Sequence, residues 1–141
     1  MNDWAVDSNV AAKWVLAEPD SAQALRVAAE TASGGGRLFV LDFAIVEVTN
    51  VIWTRCHRHL LTLAEARQAL SLLERANVQI VSGLPLTSAA FEISVQFDVA
   101  VYDALFVAMT RQLNVGGVTA DEPLVQAVGA AYPEIKLLKD W

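Results

Sequence analysis

Two hydrophobic periods alternate along this chain. Short continuous apolar runs, bounded by charged or turn-forming residues, have the length and composition of buried strands. Ala5-Val6 is one, closed by Trp4 and Asp7, and Leu38-Phe39-Val40-Leu41 is another. Val78 to Val81 and Val115 to Thr119 follow, and Lys136-Leu137-Leu138 makes a short edge strand. Between them the apolar positions fall at helical spacing, with recognisable starts and stops. Pro19-Asp20 opens a helix towards Ala32 that Gly34-Gly35-Gly36 stops. Asp42 opens a second, with Ile45, Val48, Val51 and Ile52 as its apolar stripe. Thr62 and Glu65 form a capping box for a helix from Leu63 to about Ala76. Pro85-Leu86-Thr87 introduces one to about Gln96, and Asp103 lies near the start of one reaching Leu113. Asp121 caps the last, with Pro123 in its first turn.

Strand and helix in alternation predict an α/β protein with a mainly parallel central sheet covered by helices on both faces. The 141 residues suit a single domain over 1–141, a three-layer α/β/α sandwich. A domain of this size hides about two-thirds of its unfolded surface and needs no disulfide or structural metal. No repeat, linker or low-complexity stretch interrupts it. The glycine triplet lacks a following Gly-Lys-Ser/Thr and is a helix stop, not a phosphate cradle.

Composition changes this picture in three ways. Hydrophobic residues make up 55% of the chain, and mean hydropathy is +0.39, which predicts an apolar surface that a partner covers. Apolar stretches are broken by Asp103, Glu47 or Arg55 before they reach the 18 or so residues of a spanning helix. The N-terminus carries Asp3 and Asp7 without a basic region, so no signal peptide is expected and the protein is expected in the cytoplasm. Cys56 is the only cysteine, which excludes a disulfide framework and a cysteine zinc site. Net charge is −6 with a pI near 4.7, the wrong sign for binding nucleic acid by bulk electrostatics. Local groups must answer that objection.

Open parallel sheets bind ligands outside the carboxyl ends of their strands. Asp7 ends the first strand and Asp121 follows the fourth. Glu47 lies a turn into the helix after the second strand, and Asp103 begins a helix ahead of the fourth. Four carboxylates from four segments can therefore meet in one cleft. Taken alone, each of Asp7 and Asp121 reads as an ordinary cap. Glu47 and Asp103 sit in strongly apolar surroundings without a basic neighbour in sequence, where a buried unpaired carboxylate is costly. Two carboxylates about 5 Å apart repel by roughly 3 kcal/mol at an effective dielectric of about 20. A divalent cation relieves this, and an oxygen-only donor set selects a hard one, Mg²⁺ or Mn²⁺.

Asp7-Ser8-Asn9-Val10, Glu47-Val48-Thr49-Asn50, Tyr102-Asp103-Ala104-Leu105-Phe106-Val107-Ala108 and Thr119-Ala120-Asp121 resemble, in order, the successive motifs of PIN-domain ribonucleases. The run Lys13-Trp14-Val15-Leu16 is similar in particular to the VapC toxins of toxin–antitoxin pairs. The resemblance covers nearly the whole chain. It implies a PIN-like fold, metal-dependent hydrolysis of RNA, a cognate antitoxin protein as partner, and a homodimer. It carries over Asp7, Glu47, Asp103 and Asp121 as the acidic catalytic site, with Asn9, Thr119 and, less directly, Asn50 as polar supports.

Mg²⁺ usually takes only one or two direct carboxylates. Asp7 and Asp103 are assigned as direct metal ligands, with Glu47 and Asp121 binding directly or through water. Lys13, Arg55 and Arg58 are the basic groups expected to hold RNA phosphates, beside His57 and His59. The alternative for the 55–59 cluster is a solvated helix C-terminus. Asp42 and Asp98 match no motif position and read as a helix cap and a surface loop residue. Trp14 and Trp53 read as core or partner-facing. Trp14, Val15, Leu16, Trp53, Leu60 and Leu61 are expected to line a groove for an amphipathic antitoxin segment. Two phosphatase-like readings fail, because Asp7 is followed by Ser8 and Asn9 where those sites need a second acid. The remaining alternatives are a non-catalytic PIN-like binding or regulatory module and a structure-specific DNA nuclease.

Overall fold

The computed structural model describes residues 2–141, and within them five short strands hydrogen-bond into one sheet. The strands are β1 (Trp4–Val6), β2 (Leu38–Leu41), β3 (Gln79–Val81), β4 (Gly116–Thr119) and β5 (Ile135–Leu137). Their order is β3-β2-β1-β4-β5, and every pairing is parallel. The observed bounds of β1, β3, β4 and β5 differ by one residue from those the pattern predicts. Leu138 shows why for β5: it is fully buried, but it turns into a short 3₁₀ segment instead of extending the strand.

Seven helices connect the strands: α1 (Ser8–Val15), α2 (Ser21–Ser33), α3 (Asp42–His57), α4 (Leu63–Glu74), α5 (Thr87–Phe97), α6 (Val101–Leu113) and α7 (Glu122–Val128). Right-handed crossovers place α1–α4 on one face and α5–α7 on the other, because the winding direction reverses after β3. This is the three-layer sandwich. The central strands β1 and β2 are wholly apolar, as expected where both sheet faces are covered, while the edge strands carry Gln79 and Lys136 at exposed positions. The central layer of the core is Ala5, Val6, Val40, Phe106, Met109 and Val118. A second apolar cluster, around Ala12, Val48, Ile52 and Leu73, joins α1, α3 and α4.

Most helix starts follow the local chemistry. The Thr62–Glu65 capping box forms at both of its hydrogen bonds, 3.1 Å each. Asp121 accepts from the Leu124 amide at 3.0 Å. Three details differ from the sequence reading. Helix α1 is not signalled by the apolar pattern; Asp7 caps it by accepting from the Ser8 amide at 2.8 Å. Asp42 is the first helical residue and not the cap, and its Oδ1 accepts from the Phe43 and Gly83 amides, tying α3 to the loop after β3. In α3 the buried stripe is Ala44, Val48 and Ile52, while Val51 turns outward. The glycine stop acts as expected: Gly35 takes a left-handed φ of 72°, which returns the chain towards β2. Asp98 ends α5 in the same left-handed region, exposed at the surface. No single helix among the described residues is long and apolar enough to cross a membrane.

Candidate functional site

The winding direction of the sheet reverses between β1 and β4, and the crevice beyond their carboxyl ends is where an open α/β sheet offers a ligand site. Asp7 and Thr119 stand on the two sides of this crevice. The Thr119 hydroxyl donates to Asp7 Oδ2 at 2.7 Å, and the Asn9 amide donates to the same oxygen at 3.3 Å. Asn9 reaches across the gap as well: its Oδ1 accepts from the Ala120 amide at 2.9 Å, and its Nδ2 donates to Thr119 Oγ1 at 3.2 Å. Thr119 Oγ1 also accepts from the Asp121 amide at 3.1 Å. Asp7, Asn9, Thr119 and Asp121 are thus one hydrogen-bonded unit stitched across the two central strands. Such a unit fixes the direction of the Asp7 carboxylate without neutralising it.

The remaining acids enter from the helices. Glu47 is on the second turn of α3, and Asp103 is in the first turn of α6. Electrostatics show that the four are neighbours. The carboxyl of Asp7 is raised to about 6, chiefly by desolvation, and by the charges of Asp103 and Glu47; its hydrogen bonds from Thr119 and Ser8 oppose this. Glu47 is raised by desolvation and by Asp103, with the Ser8 hydroxyl opposing. Asp103 is raised by desolvation and by Asp121. Asp103 is therefore the hub that feels or perturbs each of the others. None of the four is in an ion pair among the described residues.

An oxygen-only set of uncompensated acids fits a hard divalent cation. Among the described residues, no three acidic, histidine or cysteine side chains form a closed cage for one. Repulsion between like charges favours that open spacing. An ion that keeps most of its water needs no tighter set. Asp121 offers one oxygen in addition to the one that caps α7.

The supporting and basic positions divide. Asn9 and Thr119 belong to the hydrogen-bonded unit. Asn50 does not; it is exposed one turn beyond Glu47 on α3. Lys13 and Arg55 converge on Glu18, at 3.6 Å and 3.3 Å. The sequence reading did not pick out Glu18 as their shared partner, because the two cations lie on different helices. Arg58 is exposed at the end of α3 and is in no ion pair among the described residues. Trp14 is partly buried, and its indole N–H donates to the Ala24 carbonyl at 2.8 Å. Trp53 is exposed and stacks on His57. Trp14 and Val15 line a cavity of about 280 Å³ with Leu25, Leu72 and Val78; Trp53, Leu60 and Leu61 lie outside it, and Leu16 is buried in the core instead.

The sequence model of the PIN domain matches residues 5–129. The chain is 29% identical over 123 residues to Ribonuclease VapC3 of Pyrobaculum aerophilum, covering 86% of this chain and 91% of that protein. Its fold is similar to that of Mycobacterium tuberculosis VapC20, a sarcin-ricin loop cleaving toxin, with a TM-score of 0.68 and 18% identity over 89% of this chain and 95% of that one. It is also similar to a chain of a toxin–antitoxin complex from Klebsiella pneumoniae, with a TM-score of 0.63 and 14% identity over 96% and 98%. At such identities the two structural likenesses establish the fold.

Proposed function

The chain belongs to the PIN-domain family, and from that premise we propose that it is a metal-dependent endoribonuclease, the toxin half of a toxin–antitoxin pair. PIN-domain nucleases are generally dependent on divalent metal. The observation that carries the reading is the setting of Asp7: a half-buried carboxylate held across the two central strands by Thr119 and Asn9, beside further acids, with no cationic side chain paired to it among the described residues. A fold that keeps such a cluster at the mouth of its sheet has a use for a cation there.

Asp7 and Asp103 are the direct ligands in this reading, with Glu47 and Asp121 acting directly or through water. Mg²⁺ is the natural occupant and Mn²⁺ an effective substitute. When bound, the ion supplies a nucleophile from water near neutral pH and offsets charge growing on the phosphoryl oxygens. Thr119 and Asn9 hold Asp7 in one orientation so that the site is preorganised. Of the three basic candidates Arg58 is the one in no ion pair among the described residues and is available to an RNA phosphate, and Lys13 and Arg55 contribute the net positive charge left after Glu18 is paired.

The apolar surface has two occupants in this scheme. The cavity beside Trp14 and Val15 accepts an amphipathic helix of the cognate antitoxin. The outer face of α5, with Phe91 and Val95 exposed and Leu84 exposed in the turn before it, meets a second copy of the chain.

Purified protein should cleave single-stranded or loop RNA with Mg²⁺ or Mn²⁺, and EDTA should abolish this. Asp7→Asn and Asp103→Asn should be folded but inactive. Wild-type cleavage by Asp103→Asn would remove the acids from the mechanism. Equal cleavage of single-stranded DNA would change the substrate class, and RNA binding without cleavage would favour a non-catalytic module.

A further inference from the structure

Tyr102 precedes Asp103 at the start of α6 and is 63% exposed. Its ring stacks on Phe43, with centroids 5.1 Å apart and planes 10° from parallel. Phe43 lies four residues before Glu47, on the same side of α3. The aromatic pair therefore bridges the two helices that deliver Glu47 and Asp103, at the rim of the acidic crevice. Phe43 is half-buried and covers one face of the tyrosine ring, which leaves the other face to solvent. The Tyr102 hydroxyl makes no hydrogen bond among the described residues, whereas that of Tyr132 does.

From this geometry we infer that the Phe43–Tyr102 pair is a stacking platform for a nucleobase flanking the scissile phosphate. The inference rests on the ribonuclease reading above and names a binding element of the same site. Charge supplies the physical motive. The protein carries −6 overall, and two of the basic groups on the helices that flank the site, Lys13 and Arg55, are tied to Glu18. Binding that depended on phosphate contacts alone would be weak. Base–aromatic stacking adds affinity without positive charge and tolerates any base, because every base has a π face. Backing by Phe43 holds the Tyr102 ring in place beforehand, so that less side-chain freedom is lost on binding. The other aromatic candidates are placed less well. Trp14 spends its N–H on Ala24, and Trp53 lies ten residues further along α3 than Phe43.

The test uses short RNAs that carry 2-aminopurine, or an abasic site, at each position around the cleavage point. Stopped-flow fluorescence of wild type and Tyr102→Phe should show quenching at one position, and Tyr102→Ala and Tyr102→Leu should not. KM for intact RNA should rise roughly tenfold in Tyr102→Ala, with kcat within about twofold. The abasic substitution at that position should cost wild type the same factor and cost Tyr102→Ala nothing further. Unchanged KM in the folded alanine variant, or quenching that survives in it, overturns the platform. So does a dimer that dissociates in Tyr102→Ala with full cleavage restored at high protein concentration, since the ring would then belong to a subunit contact. If wild type binds and quenches but cuts no RNA, the ribonuclease reading fails and the platform stands.

Discussion

The Thr119 hydroxyl donates to Asp7 Oδ2 at 2.7 Å across 112 residues of sequence, joining the ends of the two central strands. It is the shortest route between β4 and the acid that ends β1. The hydrogen bond favours the ionised form of Asp7 against the desolvation that raises it. Replacing Thr119 by valine keeps the shape and removes the hydroxyl. It also strips the Asp121 amide and Asn9 Nδ2 of an acceptor. Mn²⁺ affinity, read by titration calorimetry, should fall about tenfold, as for other groups that orient a metal ligand. Thr119→Ser should recover most of it. If Thr119→Val binds Mn²⁺ as tightly as wild type, the hydroxyl has only a structural role.

The raised carboxyl of Asp7 makes stability depend on pH. Its folded value, about 6, lies above the unfolded value near 3.8, so the folded state holds the proton more tightly. The stabilisation is fully present below about 4 and is lost as pH rises through about 6. In EDTA, thermal stability should therefore fall over that window, by about 1–3 kcal/mol at most from this group. Asp7→Asn should flatten the dependence. Glu47→Gln should leave the metal-free melting temperature unchanged or higher, as expected where function is traded against stability. A clear drop for Glu47→Gln would mark it as a structural acid.

Protons and metal compete for the same oxygen. Mn²⁺ should bind more weakly at pH 5 than at pH 7, and the pH dependence should shrink in Asp7→Asn. A binding constant flat across that range would show that Asp7 is not a ligand.

Glu18 holds Lys13 and Arg55 together between α1 and the end of α3. Glu18→Gln should release both for phosphate contacts, tightening RNA binding a few fold at low salt and steepening its salt dependence. Stability should fall by about 1 kcal/mol or less, the usual scale for a partly exposed pair. Weaker RNA binding in this variant would mean that Glu18 positions the two cations for the substrate.

The cavity beside Trp14 offers a cleaner test of the antitoxin surface than Trp14 itself. Trp14 packs against both apolar clusters, so Trp14→Glu should damage the fold. Leu72 lines the same cavity and is 44% exposed. Leu72→Glu should keep its circular dichroism and RNA cleavage while losing at least tenfold in affinity for a cognate antitoxin. Full-strength binding by the folded variant would move the partner to another surface.

Most of the strands and helices, and the four acids as candidates, were legible in the sequence. Apolar runs of strand length, Gly34 to Gly36, the Thr62–Glu65 box and the Asp121-Glu122-Pro123 start are local signals, and the chain near each one obeys them. Glu47 and Asp103 were legible because a carboxylate inside an apolar helix face has no local reason to be there. Helix α1 was less legible, since its buried face is only Val10, Ala11 and Ala12, and its start depends on Asp7, a residue that also serves the site. Tertiary structure alone decided how these pieces relate. The strand order put β1 beside β4, so that Asp7, Asn9, Thr119 and Asp121 share one hydrogen-bonded unit. Packing of α1 against α3 brought Lys13 and Arg55 to Glu18, and the approach of α3 to α6 stacked Tyr102 on Phe43. Each of these depends on groups far apart in sequence. Local propensity has no term for such distances; only packing of the buried faces sets them.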